Sequence, residues 1–198
     1  MFKRKCKITF ISHGATVYSA AGIIGSGLKY PKLNDFGEEG LEKVCEYLKQ
    51  RGVAYDNIYS SPNACCTQSA QIVANLFKKK VRIIDLLPRN YGKWQGMLYN
   101  DILEENGIKI LTETPPEGEE LKDFNKRVKE VIKKLVSENT GNRIILVTTP
   151  EVIQSAIANT LKLSPQNQHK ILIKTASLTQ ISYFDNWSSV IYSDYCPL

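Results

Sequence analysis

Runs of β-branched and apolar residues alternate along the chain with stretches whose apolar positions recur at helical spacing. Lys7 to Ser12 reads as a strand. From Asn34 to Gln50, Leu41, Val44, Cys45 and Leu48 fall at i, i+3, i+4 and i+7, which predicts a helix closed by Arg51-Gly52. Asn57 to Ser60 is a short strand, Ser61-Pro62-Asn63 punctuates it, and a helix follows to about Phe77. Val81 to Ile84 is another strand. Leu121, Phe124, Val128, Val131, Ile132 and Leu135 mark one face of a long helix. Arg143 to Thr148 is the most apolar strand, and a helix runs from about Glu151 to Leu161. Thr175 to Phe184 and Ser189 to Tyr192 read as a hairpin across Asp185-Asn186-Trp187. Strands alternating with helices predict an α/β layer fold with a mostly parallel sheet.

At 198 residues the chain suits a single domain, 1–198. The segment 86–118, rich in Gly and Pro, reads as a cap-like insertion over one end of the sheet. No apolar stretch reaches the roughly 18–20 residues that cross a bilayer, and the basic start leads into a strand, not a signal peptide. Lys and Arg outnumber Asp and Glu by 26 to 20, but the lysines are dispersed and Lys78-Lys79-Lys80 sits at a helix end, where cations favour the dipole. The charge therefore points to a lysine-rich surface, with neither nucleic acid nor membrane as a partner. The five cysteines, Cys6, Cys45, Cys65, Cys66 and Cys196, match no zinc or redox spacing. They read as reduced thiols of a cytoplasmic protein, Cys45 belonging to the core.

Ligands of open α/β sheets bind outside the carboxyl ends of the strands. Three loops leave such ends: Ser12-His13-Gly14-Ala15-Thr16, Ser60-Ser61-Pro62-Asn63-Ala64-Cys65, and Thr148-Thr149-Pro150-Glu151. Pro88-Arg89-Asn90-Tyr91-Gly92 of the insertion can close the same pocket. His13, one of two histidines, stands at a strand end. From position alone it is either structural or catalytic. His169 reads as a solvated loop or helix-end residue. Gly22-Ile23-Ile24-Gly25-Ser26-Gly27 lacks the P-loop lysine and reads as a rim loop. His13 and Cys65 lack a third and fourth ligand, so neither metal nor cofactor is expected.

These segments, in this order, resemble the histidine phosphatase superfamily, in its phosphoglycerate-mutase-like branch. The R-H-G-E-T opening corresponds to Ser12-His13-Gly14-Ala15-Thr16, and L-T-x-x-G to Leu33-Asn34-Asp35-Phe36-Gly37. S-S-P-L-x-R-A-x-Q-T-A corresponds to Ser60 through Ala70, and L-N-E-R-x-Y-G-x-x-x-G to Leu86 through Gly96. P-x-G-E-S corresponds to Pro116 through Glu120, and V-x-S-H-G begins at Val147 without its last two letters. The resemblance implies a three-layer α/β/α sandwich, possession of a pocket at His13, and a frequent homodimer. It also implies phosphoryl transfer through a phosphohistidine, with two Arg and a second His gripping the phosphoryl oxygens and a carboxylic acid protonating the leaving group.

Carried over position by position, only the nucleophile is kept, as His13. Ser12 and Cys65 stand where the family has its arginines, Thr149 where it has its second histidine, and Pro88 where it has its acid. Ser19 aligns with an Asn that often follows the first loop. Gly14, Thr16, Arg89 and Glu119 match positions that shape the loops or contact substrate. A transferring phosphoryl group is held by positioning and fixed charge, and Ser, Cys and Thr supply neither the reach nor the charge of an Arg fork. Lys93, Glu104, Glu105 and Glu113 of the insertion are the candidates to replace the lost groups. Three functions follow: binding of a small ligand or protein partner with phosphoryl transfer lost; non-phosphate chemistry by His13 with Cys65; or weak phosphomonoesterase activity through His13.

Overall fold

A computed structural model describes residues 4–25, 31–107 and 112–197. The elements run β1 (Arg4–Ser12), α1 (Val17–Ala21), α2 (Asp35–Arg51), β2 (Asn57–Ser60), α3 (Ala64–Phe77), β3 (Val81–Ile83), a 3-10 turn (Gly92–Trp94), α4 (Tyr99–Asn106), α5 (Leu121–Glu138), β4 (Arg143–Thr148), α6 (Pro150–Leu161), α7 (Pro165–Gln168), β5 (Leu178–Phe184) and β6 (Ser188–Tyr195). They build one six-stranded sheet in the order β3-β2-β4-β1-β5-β6. The first four in that order are parallel, and β5 and β6 add an antiparallel edge.

The central strands have two buried faces because their side chains alternate at period two. Ile8 and Phe10 of β1, paired in register with Ile144 and Leu146 of β4, turn to one face and pack with Phe124, Val128 and Ile132 of α5 and with α6. Ile11, Ile145 and Val147 turn to the other and meet Leu41, Val44 and Leu48 of α2 and Val73 of α3. The result is the expected three-layer arrangement. Cys45 is half-buried beside the second of these cores, less enclosed than a core residue. All five cysteines are free thiols.

Element ends follow local chemistry. Asn34 caps α2 by accepting from the Gly37 amide at 2.9 Å, and Gly52 ends it in the left-handed region at φ 61°. The last hairpin starts at Leu178, not at Thr175. Ala176 has φ 51°, its amide donates to the His13 carbonyl and the Ser12 amide donates to the Ser177 carbonyl, so this segment bridges to the end of β1 instead of extending β5. Helices α1, α4 and α7 lack the long apolar periodicity that betrays the others, and all are short. Among the described residues no helix is long and apolar enough to cross a membrane. Met1–Lys3 of the basic start lie outside the described residues.

Candidate active site

His13 leaves β1 at the carboxyl edge of the sheet and is held at both ends of its backbone. Its amide donates to the Thr148 carbonyl of β4, and its carbonyl accepts from the Ala176 amide, each at 3.0 Å. The next residue passes so close to α2 that a Cβ on Gly14 would collide with the Gly37 carbonyl, and one on Gly37 with Ala15 backbone. This close approach requires glycine on both sides. Ser69 of α3 fixes the loop from beneath, accepting from the Gly14 amide at 3.1 Å while donating to the Cys65 carbonyl at 2.7 Å.

The imidazole is 2% exposed. Its Nδ1 lies 2.7 Å from the Gly14 carbonyl, which can only accept, so Nδ1 carries a proton. The Cys65 thiol stands beside the ring and interacts with it. Burial alone would push the imidazole down; the Cys65 hydrogen bond and charge, then Gly14 and Glu151, outweigh it and raise it. A hydrogen bond from Cys66, together with the bond to His13 and its charge, pulls the Cys65 thiol down to about 5 against the opposing effect of burial. Cys65 is the second residue of α3, where a helix N-terminus also favours a thiolate. Cys66 moves the other way, raised by burial and by the neighbouring Cys65.

A cavity of about 270 Å³ opens beside His13. Two excursions cap it. Gly22 to Ile24 runs against Gly96 to Tyr99 through backbone hydrogen bonds (Ile24 to Met97, Gly96 to Ile24, Tyr99 to Gly22) at 2.8–2.9 Å. A small apolar cluster of Ile24, Trp94 and Ile102 then stiffens the cap. The side chains facing the cavity include His13, Thr16, Tyr18, Ser19, Tyr91, Tyr99 and Glu151, and no Lys or Arg lines it among the described residues. Thr16 and Ser19 share a capping box at the start of α1, Ser19 Oγ accepting from the Thr16 amide at 2.9 Å and Thr16 Oγ1 accepting from the Ser19 amide at 3.1 Å. Gly22–Gly25 form the rim expected of the glycine-rich loop, while Ser26 and Gly27 lie outside the described residues. A second lobe of about 240 Å³ shares Tyr91, Tyr99 and Glu151 and adds Arg89, Gln154 and His169.

A family model for the histidine phosphatase superfamily (branch 1) matches residues 8–192. The chain belongs to that superfamily. Phosphoglycerate mutase-like protein 4 of Arabidopsis thaliana is 26% identical over 203 residues, covering 97% of this chain and 86% of the relative. A 2,3-bisphosphoglycerate-dependent phosphoglycerate mutase of Thermoplasma acidophilum is 27% identical over 175 residues, covering 86% and 84%. A phosphoserine phosphatase structure from Entamoeba histolytica shares the fold with a TM-score of 0.83 at 21% identity, covering 96% of each chain.

Of the residues singled out from the sequence of this histidine phosphatase superfamily member, His13, Thr16 and Ser19 line the cavity. Ser12, Cys65, Pro88 and Thr149 are buried but do not line the His13 cavity. The hydroxyl oxygens of Ser12 and Thr149 are enclosed, with no hydrogen-bond partner among the described residues. Cys65 stands beside the His13 ring.

Arg89 is 2% exposed and faces the second lobe. Its Nε donates to the Glu119 carbonyl at 2.9 Å and its Nη2 to the Glu113 carbonyl at 2.8 Å. The Glu119 carboxylate is taken by Arg127 of α5 and by the Asn90 amide. Among the insertion candidates, Lys93 is exposed and paired with Glu117 at 2.8 Å, and Glu104, Glu105 and Glu113 are exposed away from the cavity. His169, expected in solvent, is half-buried at the end of α7, with Nδ1 enclosed and without a hydrogen-bond partner among the described residues.

Glu151, Tyr18 and Tyr99 are pocket residues that sequence reasoning did not single out. For Glu151 the available signal was an acidic residue in the first turn of a helix that begins at a strand end. Among the described residues no group of three His, Cys, Asp or Glu side chains could hold a metal.

The lowered Cys65 thiol gives a direct expectation. Thiolate absorbance, taken as the difference between wild type and Cys65→Ser, titrates with a midpoint near the value of about 5. A midpoint at the ordinary thiol value would show that the His13–Cys65–Cys66 cluster does not hold a thiolate. Because the folded value is lowered, the linked stability is fully present above the ordinary 9.0 and is lost as pH falls through about 5.

Proposed function

We propose that this superfamily member has lost phosphoryl transfer and uses the His13 cavity to bind a small ligand. The observation that carries this reading is the cavity wall: it presents a carboxylate, Glu151, and no Lys or Arg among the described residues. A phosphoryl dianion brought there loses its hydration and meets no lysine or arginine among the described lining residues, a cost that neutral hydroxyls do not offset.

Calorimetric titration with inorganic phosphate and with orthovanadate tests this reading. No saturable binding is expected for wild type. Saturable binding of either anion that disappears in His13→Ala would overturn the reading.

The Cys65–His13 pair supports a second reading, an enzyme acting on an uncharged substrate through the thiolate, because imidazole-paired thiolates are activated nucleophiles. Its geometric obstacle is that Cys65 is fully enclosed. Rapid alkylation of Cys65 by iodoacetamide near neutral pH supports this second reading; protection of Cys65 while Cys196 reacts supports ligand binding.

A further inference from the structure

We propose that the His13 cavity is a site for a small organic cation, an ammonium held by Glu151 and by the rings of Tyr18, Tyr91 and Tyr99. The inference rests on the ligand-binding reading above and names its ligand class. A carboxylate beside several tyrosine rings in a confined cavity is the chemistry that recognises alkylammonium groups: the carboxylate supplies charge and the negative ring faces replace water around the cation. All four side chains line the same cavity of about 270 Å³. That is slightly under the roughly 300–1,000 Å³ of drug-sized ligand sites, so the occupant is small.

Glu151 sits in the first turn of α6 and its Oε2 is enclosed from solvent, where a carboxylate attracts a cation more strongly than at the surface. His13 shares this wall, with its Nδ1 committed to the Gly14 carbonyl. Arg89 faces the second lobe, held by two main-chain carbonyls, with its guanidinium 5.4 Å from the centre of the Tyr91 ring. That cation already attends Tyr91, which places the ligand's charge toward Tyr18, Tyr99 and Glu151. Thr16 and Ser19 supply hydroxyls on the same wall, suited to a ligand that carries a hydroxyl beside its ammonium.

The test compares choline with its uncharged isostere 3,3-dimethylbutan-1-ol by calorimetry on the full chain, with n-butylammonium as a primary amine and inorganic phosphate as an anion control. Choline or n-butylammonium is expected to bind saturably and at least about tenfold more tightly than the isostere, a difference a carboxylate and aromatic faces readily supply. Glu151→Gln removes the charge but keeps the shape, and should erase that preference while thermal unfolding confirms that the variant is folded. Tyr99→Leu provides a second variant and should weaken the cation without weakening the isostere. Equal affinity for cation and isostere overturns the proposal, as does binding unchanged in Glu151→Gln, or no saturable binding of either cation. Phosphate binding in the same experiment would instead overturn the loss of phosphoryl transfer, so the two failures are separable.

Discussion

The protein is expected to hydrolyse phosphoserine, p-nitrophenyl phosphate and 3-phosphoglycerate no faster than its His13→Ala variant. The expectation follows from what stands around the imidazole. One electrostatic donor to a developing transition state contributes about 10²–10³ in rate, and a general acid about 10²–10⁴. The positions where the family resemblance puts these groups hold Ser12, Cys65, Thr149 and Pro88. None lines the cavity, and proline has no proton to give. Contributions of groups acting together do not multiply cleanly. Even so, losing several leaves little of an enhancement that is typically about 10⁶ or more. Steady-state assays of the two proteins side by side decide the matter, and His13-dependent turnover within the ordinary enzymatic range would contradict the expectation.

The second large effect concerns the strap that carries Arg89 and Tyr91. Arg127 of α5 grips the Glu119 carboxylate with two hydrogen bonds, Nε at 2.9 Å and Nη2 at 2.8 Å. Its Nη1 also donates to the Leu87 carbonyl at 2.9 Å, and its Nη2 to the Pro88 carbonyl at 3.3 Å. One guanidinium thus ties residues 87, 88 and 119 to a core helix, while lying 5.3 Å from the centre of the Phe124 ring. Arg127→Met leaves a carboxylate whose side chain is only 18% exposed without its cation, and removes the donors to both carbonyls.

Breaking a fully buried pair from one side costs about 3–5 kcal/mol. The Arg127 side chain is 35% exposed, so solvent screening reduces the expected loss to about 2–3 kcal/mol. Chemical denaturation measures it. Arg127→Lys should recover little of the loss, because an ammonium cannot fork across two carboxylate oxygens. Adding Glu119→Gln to Arg127→Met should recover part of it. A loss below about 0.5 kcal/mol, the range of an ordinary surface substitution, would show that the strap is held elsewhere.

The layers of this fold are legible in the sequence because their signals are local. The apolar run from Arg143 to Thr148 has to be an inner strand, and the spacing of Leu121, Phe124, Val128 and Ile132 has to be a helix face, whatever surrounds them. The site is legible only as far as its loops. That His13 closes a strand can be read from Ile8 to Ser12. That Arg89 turns away from it cannot, because its direction is set by the Glu113 and Glu119 carbonyls, 24 and 30 residues distant. Tyr99 was hidden for a related reason: it reaches the cavity through the pairing of Gly22–Ile24 with Gly96–Tyr99, a contact between two segments without apolar period. Glu151 was visible as a first-turn acid, but its neighbours Tyr91 and His13 are brought to it from two distant parts of the chain.

On the reading proposed above, the pocket does not grip a phosphoryl group and His13 is not phosphorylated. Mass spectrometry of the intact protein and its peptides, kept at neutral pH after incubation with a small phosphoryl donor such as phosphoramidate, tests it most directly. The account predicts an unmodified His13 peptide. An acid-labile phosphate on His13, formed by wild type and absent from His13→Ala, would contradict it.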